Sequence, residues 1–431
     1  VPKKVSAGTG EAQCRHKVDK FRLYPTKAQE TALNSTLEVL RGVYNSLLHE
    51  REFLYQTTGK GIGQFAQEKH FTHWKKDHLE LTEVHAHLLQ SVALRVNLAY
   101  CAFFRHVREN AKKPPHEREP VGYPRPKGRG QYASFTFKQF GSGVQFKRGS
   151  LYVSKIGEIK GKFHREMVGT PKTATVKRDG AKWYVSITCE MPPEPLPKSE
   201  EAIGIDVGLE KFAALSNGEF IENPRFVRQD EKMLAKAQRK FEKVKNKHRT
   251  KARRKAKKVV ARIHERIRNR RHDFTHQTAR RLVNRFGVIA VESLSVDNMM
   301  ASPASKPDPE NEGQFLPNGA SQKAGLNKSI ADVSWSMFRS VLTAKAESAC
   351  REVYAVDPRY TSQDCHACGY RPDGKECRTK KTLKDRWHLC PMCGESVDRD
   401  TNAAINILNR ATHLCGTTQS QGVAPVEASA L

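Results

Sequence analysis

Two short cysteine motifs constrain the fold of this chain more than any other feature. They read CHACG at residues 365–369 and CPMCG at residues 390–394, with 21 residues between the second and third cysteines. Two thiolates three residues apart at a tight turn can share one tetrahedral ion, and four sulfurs leave no open position for a substrate. We therefore expect a structural zinc ribbon whose ligands are Cys365, Cys368, Cys390 and Cys393.

The remaining cysteines show no disulfide framework. Three residues near the motifs, Cys377, His366 and His388, break the symmetry of the four ligands, and we interpret them as bystanders. The amino-terminal stretch does not resemble a signal peptide, and no run approaches the roughly 18 apolar residues of a spanning helix. Scattered cysteines with one metal site are typical of a reducing cytosol. We expect a cytoplasmic, nucleoid-associated protein of a bacterium or archaeon.

The charge balance points to a polyanionic partner. The 431 residues include 75 Lys and Arg against 46 Asp and Glu, a formal net charge of +29. Such an excess repels itself in a compact protein unless an anion offsets it. Because nothing in the chain favours a membrane, nucleic acid is the expected partner.

Residues 236–271 concentrate this charge, with 18 Lys and Arg against two Glu. Apolar residues at Val259, Val260, Ile263 and Ile267 form a narrow stripe, which predicts one helix docked on the protein. The alternative is an ordinary solvated face. Such a helix contacts phosphates without reading sequence. The expected contacts are Arg253, Arg254, Lys257, Lys258, Arg262 and Arg266.

The amino-terminal 200 residues predict helices placed within a β unit. An alternating strand at 18–24 precedes Thr26 and Gln29, which predict a capping box. Apolar stripes predict one helix from there and a second from about Thr82 to Arg108. Short strands follow between residues 135 and 188, with a hairpin at Asp179-Gly180. We expect an antiparallel barrel, completed by the first strand, with the helices as an insertion.

Three carboxylates stand in similar settings farther along the chain. Asp206 lies in an apolar strand, Glu292 ends another, and Asp400 opens a helix after the second cysteine motif. A carboxylate in an apolar strand is costly to bury unless it is paired or binds a metal. Strands alternating with helices predict an α/β domain that could bring the three together. Together they would hold Mg²⁺, and two such ions support phosphodiester cleavage.

Each carboxylate also has a simpler explanation. Asp400 could cap the helix that follows it, and Glu292 could pair with one of the many arginines. Asp398, two residues before Asp400, is the weaker candidate for the third ligand.

The order of these motifs carries a family resemblance. IGIDVGLEKFAAL, VIAVESL, the segment SWSMFRSVLTAKAESACREVYAVDPRYTSQDCHACGY and DRDTNAAINIL follow one another between residues 203 and 408. This arrangement resembles the transposon-encoded TnpB (OrfB) proteins, which look like ancestors of type V CRISPR effector nucleases. The resemblance is strong over residues 201–410 and weaker over 18–200, where FRLYPTKAQ fits the family's opening.

The resemblance implies a multidomain α+β protein that cuts double-stranded DNA beside a short flanking motif, directed by a guide RNA from the transposon end. It implies an RNase H-like RuvC nuclease domain with Asp206, Glu292 and Asp400 as Mg²⁺ ligands, and we expect a monomer. The resemblance, which does not cover residues 1–16 or the tail, implies a wedge domain, a helical recognition domain and a nuclease domain. With the elements predicted above, the divisions are a β-barrel wedge domain (1–24 and 115–198), a helical recognition domain (25–114), the nuclease domain (199–360 and 395–412) and the ribbon (361–394). The tail (413–431) is small and polar, and we expect it to be disordered.

Two other functions remain open from the sequence. A transposase that joins DNA strands uses the same metal chemistry. A zinc-ribbon regulator would bind nucleic acid without cleaving it, and the presence of all three carboxylates argues against that alternative.

Overall fold

The computed structural model describes residues 3–4, 15–115, 118–191, 196–244, 250–309, 314–371 and 385–415. These residues form two compact units: one lies within residues 13–192, and the other combines residues within 1–12 and 193–431. Each unit has its own sheet and hydrophobic core. Within the described ranges, no helix combines the length and apolar character that crossing a membrane requires.

The described elements, in chain order, have the following bounds. The strands are β1 (Lys3–Lys4), β2 (Arg15–Tyr24), β3 (Ser134–Phe137), β4 (Val144–Lys147), β5 (Ser150–Val153), β6 (Gly157–Lys162), β7 (Thr170–Asp179), β8 (Lys182–Met191), β9 (Ala202–Val207), β10 (Lys211–Leu215), β11 (Phe220–Glu222), β12 (Val288–Glu292), β13 (Lys306–Pro307), β14 (Phe315–Leu316), β15 (Glu352–Val356), β16 (Trp387–Leu389) and β17 (Ser396–Asp398). The helices are α1 (Lys27–Thr58), α2 (Gln64–Asp77), α3 (Ala86–Ala111), α4 (Phe226–Glu242), α5 (Lys251–Arg285), α6 (Val296–Met300), α7 (Ala320–Val333), α8 (Trp335–Ser348) and α9 (Arg399–Cys415), with a 3₁₀ turn at Leu79–Leu81.

The unit within residues 13–192 contains one antiparallel sheet in the order β3-β7-β8-β2-β6-β5-β4. It curls into a half-barrel, and the hairpin predicted at Asp179-Gly180 joins β7 to β8. Gly180 has a φ of 61°, a backbone conformation that glycine adopts without strain. Alternate residues of β8, such as Trp183, Val185 and Ile187, are buried, as the period of a half-buried strand requires.

Helices α1–α3 lie between β2 and β3 in the chain, as predicted for an insertion. The capping box is confirmed: Thr26 accepts a hydrogen bond from the Gln29 amide, and the Gln29 side chain accepts one from the Thr26 amide. The second predicted helix begins at Ala86 instead of about Thr82, after the 3₁₀ turn. Helix α2 was not predicted, because its sequence has few apolar residues at helical spacing.

The unit that contains the carboxylates has a six-stranded mixed sheet in the order β1-β15-β12-β9-β10-β11. Strands β15, β12 and β9 run parallel, whereas β10, β11 and β1 pair antiparallel with their neighbours. We assigned residues 1–24 to the barrel from the sequence, but Lys3–Lys4 pair with β15 at the edge of this second sheet.

Helices cover both faces of this mixed sheet. On one face, Leu282 of α5 and Phe338 of α8 share a core with Ile205 and Ile289. On the other face, Ile407 of α9 packs with Ala290 and with residues of β15. Since successive side chains of a strand point to opposite faces, the residues next to Ile205 and Val291 point towards α9.

Two predicted helices are each divided in the structure. The basic segment 236–271 spans the end of α4 and most of α5, which pack against each other through Ala237, Ile263 and Ile267. The apolar stripe therefore packs within a pair of helices. The sequence also predicts one helix from Ser329 to Cys350, since apolar residues recur at helical spacing. The structure breaks it at Ser334, whose φ of 60° ends α7 and starts α8.

Helix α9, which begins beside Asp400 as predicted, continues to Cys415, and residues 416–431 of the predicted tail lie outside the described residues.

Candidate active site and metal centre

Asp206 and Glu292 lie at equivalent positions on neighbouring parallel strands. Ile205 of β9 pairs with Val291 of β12, and each carboxylate is the next residue along its strand. Carboxyl ends of parallel strands meet at one edge of a sheet, where α/β folds build their sites. Strand alternation directs both carboxylates to the side of the sheet that α9 covers.

Gly204 allows α9 to contact the sheet closely. A Cβ atom at Gly204 would lie 2.0 Å from the carbonyl oxygen of Ala404 and 2.9 Å from the Cβ of Leu408. Asp400 precedes Ala404 by about one helical turn. The close packing of α9 on β9 therefore brings the first turn of the helix, with Asp400, towards Asp206. Sequence reasoning missed this role of Gly204, although the residue lies within the IGIDVG motif.

The electrostatics connect Asp206 to each of the other two carboxylates. Burial raises the pKa of Asp206 well above its usual range, and the negative charges of Glu292 and Asp400 raise it further, whereas Arg399 opposes the rise. Burial also raises the pKa of Glu292, against the effects of a hydrogen bond from Thr361 and of the Arg410 charge. Carboxylates that repel one another in a buried site are suited to a hard divalent cation, which offsets their charge.

The carboxylates are close without forming a closed ligand set. Among the described residues, the four cysteines are the group of three or more potential metal ligands whose ligand atoms all lie within 4.8 Å of one another. The structure thus brings Glu292 and Asp400 each within electrostatic range of Asp206, at a wider spacing than that of the cysteines.

Asp398 and Asp400 have different contacts. The Asp398 carboxylate accepts hydrogen bonds from the amides of Asp400 and Thr401, at 3.0 and 3.2 Å, as a capping residue does. The Asp400 carboxylate pairs with Arg399 at 3.3 Å. The capping role considered for Asp400 is therefore filled by Asp398, and the Asp400 charge acts on Asp206.

Sequence reasoning also missed Thr361, whose hydroxyl donates a hydrogen bond to Glu292 Oε1 over 2.7 Å. Its chain segment is held by buried asparagines of α9. Asn406 donates to the carbonyl oxygens of Thr361 and Asp364, and Asn402 donates to that of Asp364. The motif YTSQDC, which leads into the first cysteine pair, was the available signal.

The four predicted cysteines converge. The Sγ atoms of Cys365 and Cys393 lie 3.7 Å apart, and those of Cys368 and Cys390 lie 3.6 Å apart. Tetrahedral zinc with Zn–S bonds of about 2.3 Å separates its sulfurs by about 3.8 Å. The donor set therefore fits one zinc ion.

The turns of the two cysteine motifs are built alike. Gly369 and Gly394 have φ values of 73° and 75°, which favour glycine, and each amide donates to the backbone carbonyl oxygen of the first cysteine of its pair. Burial acts to raise the pKa of the Cys390 thiol, but the amides of Cys393 and Met392, together with the thiols of Cys393 and Cys368, outweigh it and lower the pKa to about 7. In contrast, burial raises the pKa of Cys365 to about 12.

The predicted bystanders have separate surroundings. His366 contacts Asn402 through its backbone amide and its Nδ1 atom. His388 is buried on β16, and its ring nitrogens have no hydrogen-bond partner among the described residues. Cys377 lies outside the described residues.

The predicted phosphate contacts divide into two groups. The side chains of Arg254, Lys257, Lys258 and Arg262 are exposed on α5, and Arg253 is half-buried. Arg266 differs, because it forms an ion pair with the buried carboxylate of Asp230 on α4. The structure therefore gives Arg266 a role in fastening α5 to α4.

Three family models match parts of the chain. Residues 186–302 match OrfB_IS605, described as "Probable transposase", and residues 335–407 match the Cas12f1-like TNB domain. Residues 15–60 match a model described as a helix-turn-helix domain. In this structure that segment is the strand β2 followed by the single helix α1.

Relatives of similar length cover nearly the whole chain. A Streptomyces pristinaespiralis protein named as an RNA-guided DNA endonuclease is 33% identical over 94% of this chain and 91% of its own length. The protein named as RNA-guided DNA endonuclease InsQ from Escherichia coli (strain K12) is 29% identical over 94% of each chain. In fold, the chain is similar to the Cas12f1 chain of a complex with sgRNA and target DNA, with a TM-score of 0.54, 14% identity, and coverage of 92% and 99% of the two chains. The chain belongs to the TnpB (OrfB) family.

Proposed function

We propose that this protein is an RNA-guided endonuclease that hydrolyses double-stranded DNA. The observation that carries the proposal is the burial of Asp206 within range of the negative charges of Glu292 and Asp400, because burial raises its pKa and the two charges raise it further. The names of the relatives, RNA-guided DNA endonucleases, support the choice of DNA cleavage as the reaction and of RNA as the guide. In this proposal the mixed sheet with its helices is the RNase H-like RuvC domain.

The three carboxylates would hold Mg²⁺, two ions in all. Held by these carboxylates, such a pair of ions would supply activation of a water molecule and stabilisation of the leaving oxygen at phosphorus. The chain's own residues prepare this site. Strands β9 and β12 direct two carboxylates to the same side of the sheet, Arg399 balances part of the charge of Asp400, and Thr361 donates a hydrogen bond to Glu292. The cysteine cluster would hold structural zinc and take no part in the reaction.

The other unit would serve recognition. We propose that its half-barrel is the wedge domain and α1–α3 the recognition domain, and that together they bind a guide RNA from the transposon end and the flanking motif. RNA pairing would select the target without protein contacts to its base edges. The exposed cations of α5 would hold phosphates irrespective of sequence. The protein would act as a monomer.

Expression of the chain with RNA from its own transposon end tests the proposal. We expect cleavage of double-stranded DNA only where the guide matches and the flanking motif is present, and we expect the cut site to move when the guide is changed. Asp206→Asn is the inactive control. Equal cleavage by RNA-free protein would contradict the guided reaction, and joined strands in place of free ends would favour a transposase.

A further inference from the structure

The hydroxyl of Thr361 is a buried donor beside one of the three carboxylates. The residue is 3% exposed. Its Oγ1 lies 2.7 Å from Glu292 Oε1 and 3.0 Å from the carbonyl oxygen of Pro358. A hydroxyl has one proton to donate, and a bond to an ionised carboxylate is stronger than a bond to a neutral carbonyl. When Glu292 is ionised, as a metal ligand must be, the proton of Thr361 is directed to Oε1.

This contact distinguishes the two oxygens of Glu292. Among the described residues, Oε1 is the one that receives a hydrogen bond. The carboxylate cannot rotate about its terminal bond without breaking that contact. Oε2 is therefore held in a fixed direction and remains available to a cation. Partners of this kind orient a metal ligand without touching the metal.

The position of Thr361 is fixed by the helix that carries Asp400. Asn406 donates to the Thr361 carbonyl oxygen over 2.9 Å, and Arg410 donates to the carbonyl oxygens of Asp357 and Arg359 over 2.8 and 2.7 Å. Glu292 and Asp400 lie on separate elements of the fold. Thr361 connects their positions, because it contacts the first directly and is held by the helix of the second.

We propose that Thr361 is a positioning residue that sets the orientation of Glu292 for divalent-cation binding. The proposal rests on the proposed function, in which Glu292 is a metal ligand. Removal of the hydroxyl alone should weaken cation binding about 10–100-fold, the usual effect of losing such a partner. A serine at this position keeps the hydroxyl and should keep the affinity.

The test measures Mn²⁺ binding to the full-length, zinc-loaded protein by electron paramagnetic resonance of the free ion. Four substitutions are compared: Thr361→Val, Thr361→Ser, Asp206→Asn and Thr275→Val. Thr275 is the matched control, because it is fully buried in the same unit and its hydroxyl has no hydrogen-bond partner among the described residues. We expect weakened binding for Thr361→Val, loss of binding for Asp206→Asn, and wild-type binding for the other two.

Cleavage provides a second measurement. Thr361→Val should raise the Mg²⁺ concentration for half-maximal cleavage by a similar factor and regain most of the rate at saturating Mg²⁺, which a damaged fold would not do. Zinc content and Tm confirm folding. If Thr361→Val loses zinc, the smaller Thr361→Ala replaces it in the comparison.

The outcomes separate the two proposals. Wild-type Mn²⁺ affinity in Thr361→Val would overturn the positioning role while leaving the endonuclease proposal intact. Wild-type Mn²⁺ affinity in Asp206→Asn would instead overturn the carboxylate metal site, and the positioning role with it.

Discussion

The backbone of Gly204 on β9 meets the backbone of Ala404 on α9 with no room for a Cβ atom between them, since that atom would lie 2.0 Å from the Ala404 carbonyl oxygen. The obstacle is backbone, which cannot rotate away as a flexible side chain does. The contact therefore sets the distance between the first turn of α9 and Asp206.

We predict that Gly204→Ala displaces α9, lowers stability by about 1–3 kcal/mol and reduces cleavage strongly, because overpacking forces the backbone to shift. Thermal unfolding and a cleavage assay measure the two effects. Gly325→Ala is the matched control: Gly325 lies within α7, with open space around the added methyl group, and the change should stabilise by about 0.5–1 kcal/mol. Full activity in Gly204→Ala would show that α9 does not need this close contact.

The second prediction concerns the reaction. Asp206→Ala, Glu292→Ala and Asp400→Ala should each abolish cleavage and leave nucleic-acid binding nearly unchanged, because they remove cation ligands and not contacts to the polyanion. Electrophoretic mobility shifts and cleavage assays with Mg²⁺ or EDTA test this. Asp398→Ala should lose stability by about 1 kcal/mol as a capping residue does, and stay active. The opposite pattern for Asp398 and Asp400 would exchange their roles.

The raised pKa of Asp206 has a consequence for stability. Without divalent cations, the folded protein binds a proton at Asp206 more tightly than the unfolded chain does. The free energy of unfolding therefore falls as pH rises from the ordinary carboxyl range through the raised pKa.

Asp206→Asn is neutral at every pH and should escape this loss. In EDTA at about pH 8, its Tm should exceed that of the wild type by about 2–4 °C for each kcal/mol of relieved destabilisation. The difference should shrink towards about pH 4, and Mg²⁺ should raise the Tm of the wild type alone. Thermal unfolding across this pH range measures it, and equal Tm values at both ends would contradict the prediction.

The fourth prediction concerns the cysteine cluster. The purified protein should contain one zinc ion per chain, and Cys390→Ser should lose it, because all four sulfurs are needed for a closed tetrahedral site. Cleavage should fall as well, because Cys365 follows the segment that carries Thr361. Elemental analysis measures the zinc, with Cys101→Ser, at an exposed cysteine in the half-barrel unit, as the control. Active protein without zinc would contradict this.

The last prediction concerns the exposed cations of α5. Changing Arg254, Lys257, Lys258 and Arg262 to Gln should weaken binding to all sequences alike. If all four contact phosphates, the slope of log K against log salt should flatten by about 3–4. Arg266→Gln should act mainly on stability, because its guanidinium pairs with Asp230. An unchanged slope in the fourfold variant would indicate a solvated face.

The cysteine pairs and the carboxylates could be predicted from the sequence because their signals lie within a few neighbouring residues. Each cysteine pair carries its turn within five residues, and Asp206 and Glu292 interrupt apolar strands at a visible cost. The Thr26 capping box was equally readable, since both partners lie within one helical turn.

Other features depend on contacts that the sequence does not display. The apposition of Gly204 and Ala404 joins residues 200 positions apart. No glycine or proline marks the break between α7 and α8 at Ser334, and apolar residues at helical spacing continue through it, so the sequence predicts one helix. The basic segment is divided between two helices, and only the packing of Ile263 and Ile267 on Ala237 reveals why its stripe is apolar.

The hydrogen bonds of Asn402, Asn406 and Arg410 to residues 357–366 have a consequence for building hybrid proteins. If residues 365–393 alone were exchanged between relatives, the transferred ribbon would lack α9, whose side chains donate hydrogen bonds to the segment that precedes the ribbon. The smallest transferable cassette is therefore 357–415, which carries the segment, the four sulfurs and α9 together. The recipient protein must also have a glycine at the position of Gly204 on β9, because α9 contacts the backbone there.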